Sequence, residues 1–351
     1  MLKKYLKTLF RHFFIWTLAF AFWTTMREFG QEIATGFEPL SFVQHLSVHL
    51  ILGLCAGLLF GSFEFLYEKY IFRSIGFGKA VVLGSLGYAV VVGIIIVLAL
   101  MFYWLIQEDK IGLDQFLDVV LTKQLFLVVF YFLLVGTLIN LFREIDKKFG
   151  QGNLWKMFKG EFYSPKEEEK IFMFLDLKSS TEIAETIGHI AYSKMLQDCF
   201  KDMAIVEKYG AEIYQYVGDE AVLTWNLKDG ISDNKSIRTY YGFKRQLAGR
   251  RKHYQKRYGL FPEFKAGLHL GKIVTAEVGV HKREIAYHGD TINTASRIQE
   301  KCNLLDREFL VSEMAKDSFV PTKMFRFQDE GEIGLKGKTQ KVRIFSVSRI
   351  Y

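Results

Sequence analysis

Asp176 and Asp219 are the pair of residues whose type and setting best suit divalent-cation chemistry. Asp176 closes an apolar run, 171–177 (IFMFLDL), that reads as a buried strand, and a helix-opening Lys-Ser-Ser-Thr-Glu follows it. Ser179, Ser180 and Thr181 therefore mark a helix N-terminus whose free amides can receive phosphate. Asp219 lies in Gly218-Asp219-Glu220, between two further strand-like runs, 211–217 and 221–225. Either aspartate alone reads as a solvated turn residue. Together they offer two hard oxygen ligands of the kind magnesium prefers, beside a phosphate-receptive helix end.

The elements that must hold these side chains follow from the same stretch. Ser179 followed by Glu182 has the spacing of a capping box, and a helical pattern over 190–209 stops at Gly210. Further on, Asn293 and Arg297 are four apart and so share one face of a helix. Lys244 to Arg257 (KRQLAGRRKHYQKR) holds seven Lys or Arg in fourteen positions and reads as a solvated helix face. Its aromatic interleaving is too sparse for a nucleic-acid site, and no nucleic-acid partner is expected.

Five blocks, Phe174-Leu-Asp-Leu-Lys-Ser-Ser-Thr181, Val217-Gly-Asp219, Lys265-Ala-Gly-Leu-His-Leu-Gly271, Gly289-Asp-Thr-Ile-Asn-Thr-Ala-Ser-Arg297 and Leu335-Lys-Gly337, occur in the order found in class III nucleotide cyclases. The chain resembles that family over residues 165–350. The resemblance implies an α+β, ferredoxin-like catalytic domain that pairs head to tail, each active site being built from two chains. It implies that Asp176 and Asp219 hold two Mg2+ or Mn2+ ions, that Asn293 orients the ribose, and that Arg297 stabilises the transition state from across the dimer. Lys265, Lys336 and Lys338 fall where family members contact the triphosphate, with Lys336 and Lys338 close enough to be confused and a solvated strand edge expected for at least one of the three. Because one chain carries both halves, a homodimer would form two complete sites.

The departure lies at the base. Adenylate-specific members carry a lysine, and an aspartate or threonine, where this chain has Gln215 and Ala286; guanylate-specific members carry glutamate and cysteine. Glutamine can donate and accept, and the alanine side chain reads no hydrogen bond. With the guanylate pair absent, the resemblance favours ATP as substrate and cyclic AMP as product. The alternatives are a guanylate or dual-specificity cyclase, or a receptor that binds nucleotide without turnover. A diguanylate cyclase, suggested by Gly218-Asp-Glu, lacks its Gly-Gly-Asp-Glu-Phe signature and leaves 289–297 unexplained.

The rest of the chain has a different character. Of 351 residues, 50% are hydrophobic and 16% aromatic, which excludes a disordered or fibrous chain. Helices at about 12–28, 41–66, 80–106 and 125–142 are expected to form an all-α, four-helix transmembrane domain over 1–142, since a bilayer span needs about 20 apolar residues. A linker, 143–170, then leads to the catalytic domain, 171–351. Trp155, Phe158, Phe162 and Tyr163 in that linker read equally as a membrane-surface or helical connector and as an ordinary linker. Trp16 and Trp23 suit the membrane interfaces. Ten Lys or Arg flank the spans on one side against three on the other, which puts both termini in the cytoplasm and predicts an inner-membrane protein with a cytoplasmic catalytic domain. The lipid bilayer is thus an expected partner, and dimerisation through the membrane domain an expected addition. His45 and His49 share a helix face but read as bundle-facing or interfacial residues rather than metal ligands. Glu64 reads as snorkelling or pairing with Lys69. Gly53, Ala56, Gly57 and Gly61 permit a close helix approach, within the bundle or between protomers. Three scattered cysteines (Cys55, Cys199, Cys302) form neither a disulfide framework nor a zinc site, in keeping with a reducing compartment for the soluble part.

Overall fold

The structure, a computed structural model, describes residues 2–28, 42–70, 76–106, 123–150, 153–281, 283–334 and 341–350. It divides into two compact units, Met1–Phe149 and Gly150–Tyr351.

The first unit contains helices α1 (Leu2–Glu28), α2 (Phe42–Tyr70), α3 (Phe77–Ile106) and α4 (Lys123–Phe149). Most outrun the apolar runs that nucleate them. Within them, Leu50–Glu68, Phe77–Ile95 and Phe126–Lys148 are long and apolar enough to cross a membrane. α1 has the length, 27 residues, but its first turns carry Lys3, Lys4, Lys7 and Arg11. The small-residue stripe of α2 packs inside the unit: a Cβ at Gly57 would lie 2.8 Å from the backbone of Phe13, and one at Gly53 1.8 Å from Thr17 Oγ1. Trp16 is not interfacial. It is fully buried and stacks on Phe60 at 4.2 Å, with Phe132 of α4 at 5.7 Å, because its indole fills the space between three helices.

Glu64 also departs from expectation. It does not extend outward but is buried at 1% exposure and gathers polar and charged groups from the other described helices, while the side chain of Lys69 lies outside the described residues. Arg11 binds one carboxylate oxygen, while His12 Nε2 lies 2.8 Å and Arg143 Nη1 3.4 Å from the other. The Tyr88 hydroxyl donates to it at 3.4 Å. Arg143 also reaches Glu144 at 3.0 Å and donates to Asn140 at 2.5 Å, and Asn140 donates to the Val81 carbonyl at 2.8 Å. All four described helices of the unit contribute to this cluster. The side chains of His45 and His49 lie outside the described residues.

The second unit opens with a short helix α5 (Asn153–Phe158), on which Trp155 and Phe158 are exposed. The remaining elements are β1 (Lys166–Leu177), α6 (Ser180–Ile187), α7 (His189–Asp202), β2 (Glu212–Val217), β3 (Glu220–Asn226), α8 (Leu227–Ile231), α9 (Lys235–Gly249), α10 (Arg251–Tyr258), β4 (Phe264–Val278), β5 (Glu284–His288), α11 (Asp290–Leu304), β6 (Phe309–Ser312), α12 (Glu313–Ser318), β7 (Phe325–Ile333) and β8 (Val342–Arg349). β1 starts within the stretch read as linker. The sheet order is β2-β3-β1-β4-β6-β8-β7, with β5 paired to the far end of β4, so β1 and β4 are central. Alternation along β1 separates two cores. Ile171, Met173 and Leu175 face a layer containing Met195 and Cys199 of α7 and Phe243 of α9, while Phe172 and Phe174 face Ile292 and Ala295 of α11.

The basic segment is not simply a solvated face. It spans the end of α9 and α10, and two buried carboxylates of α7 hold it. Asp202 accepts from Tyr254 (2.7 Å) and Arg250 (2.8 Å), and Asp198 accepts from Tyr258 (2.8 Å) and Arg257 (3.2 Å). Charged groups on both sides satisfy one another here, leaving a structural clasp.

Candidate active site

Asp176 stands one residue before the end of β1, on the face that carries Phe172 and Phe174, and is paired in register with Lys265 of β4. Asp219 occupies the tip of the β2–β3 hairpin. Val217 pairs with Glu220, so the turn is only Gly218-Asp219, with Gly218 at φ +62°, a conformation that favours glycine. A two-residue turn leaves little freedom in where Asp219 is presented.

The two carboxylates feel one another. Burial first, and the Asp219 charge next, push Asp176 up to about 6 from its ordinary 3.8. Glu220, half-buried beside both aspartates, is pushed up to about 7, by burial first and then by the charges of Asp176 and Asp219. Among the described residues no lysine or arginine forms an ion pair with Asp176 or Asp219. The partner of Asp176 is instead the Gln299 amide of α11, whose Nε2 donates to Oδ2 at 3.2 Å. Tyr192 of α7 is also close: burial raises its pKa and the charge of Asp219 adds to the shift, while the Ser180 side chain bonds its hydroxyl.

Ser179 occupies the N-cap position of α6, but the capping box does not form. Its φ of +55° is left-handed, and its side chain makes no cap hydrogen bond. A side-chain cap requires an extended N-cap residue, and the sharp reversal out of β1 excludes that. Ser180 and Thr181 follow in the first turn of α6.

Asn293 and Arg297 do share a face of α11. Asn293 is exposed, Arg297 half-buried, and neither makes a hydrogen bond or ion pair among the described residues. α11 thus turns Gln299 inward to Asp176 and leaves Asn293 and Arg297 available to something outside. Lys265 is no strand-edge residue: it is buried in central β4, and its Nζ donates to Asn303 Oδ1 at 2.5 Å. Lys336 and Lys338 lie outside the described residues.

Gln215 is exposed on β2, where a bulge at Tyr214 places it opposite Val222, and Ala286 lies on β5 opposite Ala276. Their neighbours meet. The rings of Tyr214 and Tyr287 are 4.6 Å apart although β2 and β5 are separated in the sheet order by β3, β1 and β4, so this half of the sheet is strongly curled. Two surface clefts of about 310 and 540 Å3 lie beside α6 and α7, and neither is lined by Asp176 or Asp219. Asp176 and Asp219 are both half-buried.

The donor set fits a hard divalent cation of the magnesium type. Two carboxylates without a cationic side chain suit an ion that takes one or two protein carboxylates and completes its shell with water and substrate phosphate. Among the described residues there is no cluster of three or more His, Cys, Asp or Glu arranged for a metal. Gln299, Asn303, Tyr192 and Glu220 were not legible as site residues. Gln299 lies 123 positions from its partner and carries no motif signal, and Glu220 alone stood next to a recognisable one.

Residues 162–348 match the family described as the adenylate and guanylate cyclase catalytic domain. The chain is 35% identical over 206 residues to adenylate cyclase 2 of Rhizobium meliloti, covering 58% of this chain and 57% of that protein. It is 27% identical over 189 residues to the aggregation-specific adenylate cyclase of Dictyostelium discoideum, covering 52% of this chain and 12% of that one. The chain therefore spans just over half of the first relative and a small part of the second. A bacterial light-regulated adenylyl cyclase structure superposes with a TM-score of 0.53 at 18% identity, covering 65% of this chain and 67% of that one, a likeness of fold.

Proposed function

The chain belongs to the adenylate and guanylate cyclase catalytic-domain family, and from that premise we propose that it converts ATP to 3',5'-cyclic AMP and pyrophosphate at a site shared by two copies of the chain. Attack of the ribose 3'-oxygen on the α-phosphorus forms the cyclic ester, breaks the bond to the β-phosphate bridge and releases the 3'-hydroxyl proton. The observation that carries this reading is the division of labour on one chain: an uncompensated carboxylate pair on the sheet, and an unpartnered Asn293 and Arg297 facing outward on α11.

Asp176 and Asp219 would hold the cations, two Mg2+ or Mn2+ per site. When bound, these would supply charge neutralisation on the triphosphate and acidify the 3'-hydroxyl. The first-turn amides of α6, with Ser179, Ser180 and Thr181, receive phosphate oxygens. Asn293 of the opposite copy orients the ribose, and the fork of Arg297 donates to the α-phosphoryl oxygens as their charge develops. Lys265, with Lys336 or Lys338, offers positive charge to the triphosphate. Gln215 and Ala286 border the base, and the adenylate cyclase relative supports ATP over GTP. The helices of the first unit anchor the chain in the cell membrane, with the catalytic unit in the cytoplasm.

The test uses purified full-length protein with ATP or GTP and Mg2+ or Mn2+, quantifying cyclic product. Asp219→Ala and Arg297→Ala chains are each expected to be inactive alone. Mixed, they should recover up to about a quarter of wild-type turnover, since half of randomly assorted dimers are mixed and each has one intact site. Mixed chains that stay inactive while wild type is active would exclude the shared site.

A further inference from the structure

Two amides one helical turn apart on α11, Gln299 buried and Asn303 exposed, separate the charges that β1 and β4 bring into register. Asp176 and Lys265 are cross-strand partners, and opposite charges so placed ordinarily attract. They form no ion pair here. Lys265 Nζ is drawn to Asn303 Oδ1 at 2.5 Å, while one oxygen of Asp176 is held by Gln299 Nε2 at 3.2 Å. Gln299 is 4% exposed and Lys265 7%, while Asp176 is half-buried and Asn303 exposed, so the arrangement runs from the interior to the surface.

The chemistry of the donors matters. An ammonium on Asp176 would neutralise the carboxylate and compete with a metal ion for it. An amide donor fixes the orientation of the carboxylate but leaves its charge intact. The seat of α11 is equally specific. A Cβ at Gly267 would lie 2.2 Å from the backbone nitrogen of Gln299, so only glycine at that position of β4 admits the helix at this distance.

We propose that Gln299 and Asn303 are positioning residues: Gln299 orients Asp176, and Asn303 holds Lys265 off it, so that Asp176 remains an open cation ligand. Both sit on the helix that presents Asn293 and Arg297 outward, so α11 sets the geometry of its own metal side and of the contribution to the neighbouring copy. The inference rests on the functional reading above, and metal binding separates the two.

The experiment titrates Mn2+ into nucleotide-free full-length protein and follows loss of the free-ion electron paramagnetic resonance signal. Gln299→Leu and Asn303→Leu should each raise the Mn2+ midpoint about ten- to a hundredfold, the usual effect of losing an outer partner of a ligand. Adding Lys265→Met to Asn303→Leu should return the midpoint to that of wild type, which loss of packing alone would not do. If Asn303→Leu does not fold, Asn303→Ala removes the same acceptor without adding bulk and is read the same way. Unchanged midpoints in the single variants, or no recovery in the double variant, would overturn this inference while leaving the cyclase reading standing. Wild type that neither binds Mn2+ nor makes cyclic product would overturn both.

Discussion

Both units neutralise buried carboxylates within the chain, Asp198 and Asp202 in the sheet unit included, and the sheet unit also holds a half-buried pair with no cationic partner among the described residues. In the helical unit, Glu64 is met by Arg11, His12 and Arg143, and Glu144 by Arg143 and Lys147. In the sheet unit, Asp176 and Asp219 lie close enough to raise the pKa of Asp176, with an amide as the direct partner of Asp176. A buried charge that the chain itself neutralises holds helices together. One left uncompensated is a standing cost to the fold, and that cost is relieved when a cation binds. The contrast separates architecture from chemistry without reference to any motif.

Neutralising substitutions should therefore act in opposite ways in the two regions. The largest expected effect is on catalysis: Asp176→Asn should lower turnover about a thousandfold or more, within the range seen when a phosphoryl-transfer site loses a main charge-stabilising group. Thermal stability without metal should hold or rise, because a repulsion has gone. A chain that loses stability along with activity would break the comparison.

Next in size is Glu64→Ala, which strands His12 in the interior and leaves Arg143 with Glu144 and Asn140, and should cost about 3–5 kcal/mol, the range for a buried pair losing one partner. Thermal unfolding of the full chain in detergent measures it. An unchanged midpoint would place Glu64 among ordinary surface carboxylates.

The smallest effect is one of pH. Asp176 at about 6 and Glu220 at about 7 bind protons more tightly folded than unfolded, where they titrate near 3.8 and 4.5. Metal-free stability should therefore fall as pH rises from about 4 to about 7, and saturating Mg2+ should flatten the slope. A slope of opposite sign would sharpen the question of which carboxylates are truly uncompensated.

The sequence exposes parts of this contrast unequally. The hairpin tip could be read because Gly218-Asp219 between two strand-like runs has few other folds, and the blocks around Asp176 and Arg297 stand in a recognisable order. Four apolar runs announced four helices. Their ends were misjudged where polar residues continue the helix, as in α4, whose Arg143, Glu144 and Lys147 face inward partners rather than opening a linker. The Glu64 cluster was hidden because its members come from three other helices, with His12 52 positions and Tyr88 24 positions away. Ser179 escaped for a local reason, since its left-handed backbone overrides the preference of its side chain. The bulge at Tyr214 likewise defeats strict strand alternation for Gln215.

The glycine stripe of α2 bears on how the helical unit is made. α1 is the least apolar of its helices, and Arg11 and His12 entering lipid alone would be costly. What makes α1 tolerable is held by α2: the glycines that let the Phe13 backbone approach, and the carboxylate of Glu64 that receives both charged or polar groups. During synthesis α1 emerges before its solvent substitute exists. Were this unit to enter a bilayer, α1 and α2 would be expected to insert as a pair, with the first helix waiting on the second.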